Sequence, residues 1–74
     1  MDEFLYQDEI QHDRYSTISR LIRPVHEICG ANSLLYHRLV RALKAGDLES
    51  LKKGLEAFDR QPARLRAEIY RRMD

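Results

Sequence analysis

The sequence predicts an all-α fold: a small antiparallel helical bundle of three main helices, the third broken near Pro62. Three observations predict it. Apolar residues recur at steps of three and four over separate stretches, the period of a helix with one buried face. Glycines and side chains that cap helix ends punctuate the gaps between those stretches. No segment alternates apolar and polar residues as a half-buried strand would. With 74 residues the chain is one domain at most, and a chain this short buries only about 60 % of its unfolded surface. Three apolar stripes are more than so little chain can cover, so a homodimer or an obligate complex with a protein partner is expected to complete the bundle.

Residues 1–13 read as an acidic N-terminal arm or an extra helical turn ahead of a bundle domain over 14–74. Phe4, Leu5, Tyr6 and Ile10 are apolar but do not continue the stripe that follows; in a helical arm, Phe4 and Ile10 would be the packed residues. From Arg14 to Cys29 the stripe is Tyr15, Ile18, Ile22, Val25 and Cys29, widened by Leu21 and Ile28. Pro24 lies inside it, where a proline costs about 3 kcal/mol for its missing amide hydrogen and its ring clash. The stripe keeps phase across Pro24, which favours one kinked helix over two separate ones. Gly30 suits the left-handed residue just past a helix end.

Asn32 or Ser33 can cap a second helix, running from about Ser33 to Ala45. Leu35, Tyr36, Leu39, Val40 and Leu43 line one face of it, and His37, Arg38, Arg41 and Lys44 the other. Gly46 is its stop and Asp47 the cap of the next. The short links at Gly30–Asn32 and Gly46 force consecutive helices to fold back as neighbours. The last stretch carries Leu48, Leu51, Leu55, Phe58, Leu65, Ile69 and Met73 on one face. Glu49, Lys53, Glu56, Arg60, Arg64, Glu68 and Arg72 lie opposite, several as opposite charges four apart. Gly54 weakens this helix by roughly 1 kcal/mol relative to alanine and marks a close helix approach. At Gln61-Pro62 it must kink or restart, with Asp59 available as a cap, and the retained phase predicts two pieces nearly in line.

Composition narrows the function. The single cysteine, Cys29, permits no internal disulfide and favours a reducing compartment. The first residues are neither basic nor continuously apolar, so they do not resemble a signal peptide. No apolar run approaches the ~20 residues a membrane span needs. A cytoplasmic protein is expected. Net charge is only +1, but its distribution is uneven. Residues 1–13 hold Asp2, Glu3, Asp8, Glu9 and Asp13 and no Lys or Arg; residues 28–46 hold no acid. Such asymmetry favours head-to-tail self-association or an acidic partner.

Catalytic and metal patterns are weak. His26 and Cys29, three apart, could face one ion, with His37 and His12 completing a set of four. Cys29, however, falls on the apolar stripe, where a free thiol behaves as a small hydrophobe. Each acid lies in a polar stretch or pairs with a base four residues away, and no glycine-rich phosphate loop is present. No enzyme activity, metal, cofactor or small-molecule substrate is therefore expected.

Leu35-Tyr36-His37-Arg38, followed by Leu39-Val40-Arg41-Ala42, resembles the opening of the leucine–tyrosine–arginine proteins of mitochondrial assembly. That resemblance implies a three-helix protein working with an acyl-carrier protein. His37 stands inside the tripeptide and the likeness ends at Ala42, so no function is carried over from it.

By elimination, the expected function is that of a protein–protein interaction module: an adaptor, assembly chaperone or inhibitor acting through a helical face. Tyrosine and arginine are common anchors of such faces, which singles out Tyr36, Arg38, Arg41, Lys44, Tyr70 and Arg71. The alternative is a small nucleic-acid-associated or transcription-regulating protein gripping a phosphate backbone with Arg38, Arg41 and Lys44 or the arginine-rich C-terminus. Against it, a reading helix after Gly46 would open Asp47-Leu48-Glu49, and phosphate repels acids there.

Overall fold

A computed structural model of the chain describes the backbone of residues 2–73 and the side chains of residues 11–73. It is compact and all-helical among the described residues, with four helices: α1 (Asp2–Cys29), α2 (Leu34–Ala45), α3 (Leu48–Asp59) and α4 (Ala63–Arg71). α1 sets the long dimension, since 28 residues at about 1.5 Å each match the 41 Å principal extent. It runs unbroken through Pro24. The packing expected of Phe4 and Ile10 lies outside the described side chains.

The helix ends follow their local chemistry. Gly30 takes φ 89° and its amide donates to the His26 carbonyl, closing α1. Ser33, rather than Asn32, caps α2: its hydroxyl accepts from the Tyr36 amide at 3.0 Å. Gly46, at φ 74°, ends α2 with its amide on the Ala42 carbonyl. Asp47 then caps α3, its carboxylate accepting from the Ser50 amide at 3.1 Å and from the Ser50 hydroxyl at 2.7 Å. Those two bonds, the hydroxyl's first, hold the Asp47 carboxyl below its ordinary range.

The core is Ile18, Leu21 and Val25 from α1, Leu35, Leu39 and Ala42 from α2, Leu51, Ala57 and Phe58 from α3, and Ile69 from α4. Gly54 is where α3 meets α2 and α1 most closely. A Cβ there would stand 2.9 Å from the Ala42 Cβ and 3.2 Å from the Ile18 Cδ1.

Two expectations fail at the C-terminal end. There are four helices, not three, because α3 stops at Asp59 and α4 is a helix of its own. Nor are the last two pieces in line. Phe58 and Tyr70 meet ring to ring at 5.4 Å, whereas twelve residues of one straight helix would separate them by about 18 Å. Pro62 sits at the N-cap position of α4, and Asp59 is the last residue of α3 rather than a cap. The corner is held instead by Gln61. Its side chain donates to the Ala57 carbonyl, and its own carbonyl accepts from the Arg66 guanidinium at 3.1 Å. Tyr15, expected on the buried stripe, is 46 % exposed.

Candidate interaction surface

Of the six residues singled out, two converge. Arg38 and Arg41 stand three apart on the exposed side of α2 and line a cleft of about 250 Å³ between α2 and α3. Ala42 and Gly54, the small residues of the α2–α3 contact, line its apolar part. Lys53 and Ser50 of α3 complete the wall. Neither Arg38, Arg41 nor Lys53 forms an ion pair among the described residues. Lys53 has Glu49 four residues before it in α3, yet no bridge forms between them. Among the described residues the cleft is therefore a concentration of unpaired positive charge with a narrow floor.

The other four sit elsewhere. Tyr36 is half-buried, its ring 5.1 Å from His26 of α1 and 6.0 Å from its neighbour His37, and it packs against the core. Lys44 is exposed in the last turn of α2, outside the cleft. Tyr70 is 53 % exposed on α4 with one edge against Phe58. Arg71 pairs with Glu68 at 3.3 Å on the same helix. α4 packs on α1, so Tyr70 and Arg71 belong to a different part of the surface from Arg38 and Arg41. Arg72 reaches across to Glu27 of α1 at 3.5 Å, and Glu27 also pairs with Arg23. These exposed pairs are worth about 0–1 kcal/mol each.

Sequence reasoning missed Lys53, which it placed on the polar face of the last stretch, and did not single out Ser50. The signal that could have joined them to the arginines was Gly54, which already marked the close approach. It also missed Leu34, 66 % exposed at the start of α2. Beside Leu34 lies a second concavity of about 310 Å³, bounded by Cys29, Leu35, Ala57 and Arg38 among others. Arg38 is common to both cavities. The surface along α2 thus passes from apolar at its N-terminal end to cationic further along.

Cys29 is a half-buried free thiol. Among the described residues, no three His, Cys, Asp or Glu come together in a group that could hold a metal ion. No helix there is long and apolar enough to cross a membrane. Comparison of the chain with protein-family models, curated proteins and solved structures gives no match.

Proposed function

We propose that the chain is a small, non-enzymatic protein–protein interaction module that engages an acidic partner protein through the α2–α3 face. One observation carries this reading: Arg38, Arg41 and Lys53, from two helices, line one cleft, and among the described residues no acid pairs with any of them. A cluster of like charge held on rigid helices costs the free protein some self-repulsion, and a complementary surface relieves it. The apolar concavity at Leu34 adds the desolvated contact area that binding energy needs. An adaptor, an assembly chaperone and an inhibitor all fit this surface, and a cytoplasmic setting suits the single free thiol.

Affinity capture from the native host tests it. The tagged chain is expected to retain a discrete partner that Arg38→Glu/Arg41→Glu loses and Arg64→Glu, on α4, keeps. Retention of the same partner by the double reversal would refute the role of the cleft. The same cluster of cations supports a second reading, binding to a nucleic-acid backbone. It requires a generic duplex to bind at low salt and to dissociate steeply as salt rises; absence of binding at low salt removes it.

A further inference from the structure

We propose that the occupant of the α2–α3 cleft is a second copy of this chain, presenting its acidic residues 2–13; this rests on reading the cleft as an interaction site. The first ground is charge. Five acids and no Lys or Arg occupy residues 1–13, while Arg38, Arg41 and Lys53 form no ion pair among the described residues. Asp2, Glu9 and Asp13 are spaced by seven and four, positions that repeat on one side of a helix. Asp13, whose side chain is described, is exposed. Residues four apart on one helix stand about 5–6 Å from each other, and so do residues three apart on another, so Glu9 and Asp13 match Arg38 and Arg41 in spacing.

The second ground is geometric. The Gln11 side chain donates to the Gly46 carbonyl at 2.6 Å, which fixes that point of α1 beside the α2–α3 turn. α1 is continuous, so its backbone at residues 2–10 runs on past that turn. A helix that continues straight past the turn does not double back over its own cleft, so the cleft it meets is another molecule's. The span also fits, because twelve helical residues cover about 18 Å, the length of the twelve-residue α2.

The third ground is the apolar component. The segment carries Phe4, Leu5 and Ile10 among its acids, and the cationic cleft continues through Arg38 into the apolar concavity at Leu34. Leu34 and Arg41 are about 10 Å apart along α2, and Leu5 lies about 6–12 Å along a helix from Glu9 and Asp13. An acidic helical segment that also carries apolar residues is the occupant this surface fits, and residues 2–13 are such a segment.

Sedimentation velocity on the full chain over a micromolar concentration series, at low and high salt, tests the proposal. The wild type is expected to self-associate, and more weakly as salt rises. Arg38→Glu/Arg41→Glu and Glu9→Lys/Asp13→Lys should each weaken association by about tenfold or more while leaving circular dichroism unchanged. Combining both reversals in one chain should restore it. A wild type that stays monomeric at low salt, or association indifferent to salt and to both reversals, overturns the proposal. If the chain is monomeric yet capture of a different protein still depends on Arg38 and Arg41, the second copy is excluded and the interaction reading stands. If neither association nor capture responds to the reversals, both fall.

Discussion

Gly54 is the position where one methyl group decides between two opposed effects. Alanine in a helix interior is favoured over glycine by about 1 kcal/mol, so on propensity alone Gly54→Ala should stabilise α3. Against this, the new Cβ would lie 2.9 Å from the Ala42 Cβ and 3.2 Å from the Ile18 Cδ1. Carbon atoms prefer about 3.5–4.0 Å. The Ile18 methyl ends a flexible side chain and can swing aside. The Ala42 Cβ is bonded directly to the α2 backbone, so the two helices must separate by several tenths of an ångström. Overpacking of this kind costs about 1–3 kcal/mol and outweighs the propensity gain. The expected net loss is about 1 kcal/mol for Gly54→Ala, with Gly54→Val losing more. For a chain of this size, that loss lowers Tm by about 4–8 °C. Urea unfolding followed by circular dichroism, on Gly54→Ala, Ala42→Gly and the double variant, isolates the contact. The double variant should be more stable than the sum of the two single losses, because only one of the facing positions then carries a Cβ. A Gly54→Ala protein more stable than wild type would refute the close approach of α2 and α3, and with it the narrow floor of the cleft.

Other outcomes follow from burial and charge. Leu51 is fully buried, so Leu51→Ala should cost about 2–5 kcal/mol, out of a total stability of about 4–11 kcal/mol for 74 residues. Leu51→Asp should therefore abolish the unfolding transition, whereas Leu55→Asp should do so less completely because Leu55 is only half-buried; the reverse order would contradict the core assignment. Arg41 is exposed, so Arg41→Glu should shift stability by no more than about 0.5 kcal/mol in the same titration. The Asp47 carboxyl is held below its ordinary value by the Ser50 hydroxyl and amide. The native state thus protonates it less readily than the unfolded chain. Its contribution is fully present above the unfolded pKa near 3.8 and is lost as pH falls through the lower folded value. Asp47→Asn keeps a capping oxygen but not that titration, so wild type should lose Tm relative to Asp47→Asn below about pH 4; parallel curves would sink the assignment.

What the sequence made legible was whatever depends on neighbours along the chain. Gly30 and Gly46 adopt the left-handed conformation their placement implied, and Ser33 and Asp47 cap as their side chains allow. The three–four periodicity located the core residues Ile18, Val25, Leu39, Leu51, Phe58 and Ile69. What it could not give was how the faces meet. A stripe is wider than the surface its partners cover, which is why Tyr15 is exposed and Leu48, Leu55 and Leu65 are only half-buried although all share the spacing of Ile18 or Leu51. The cleft has the same origin. Arg38 and Arg41 are neighbours by periodicity, but Lys53 joins them only because Ala42 and Gly54 let α2 and α3 approach.

The break at Pro62 shows how one residue redirects that outcome. A retained apolar phase across residues 58–69 says that Leu65 and Ile69 must be buried, not that the helix is straight. Proline at the N-cap position, at φ −55° and ψ 145°, places the preceding chain out of helical geometry and asks no amide bond of it. Continued straight, residues 63–71 would run beyond the ends of α1 and α2, with little left to cover Ile69. Turned at Gln61, they lay Ile69 at zero exposure into the core and bring Tyr70 onto the edge of Phe58. The four residues between Phe58 and Ala63 thus trade one helix's continuity for a fourth wall, α4 against α1. Because α4 covers that side of α1 and leaves the α2–α3 side bare, the cationic cleft remains open.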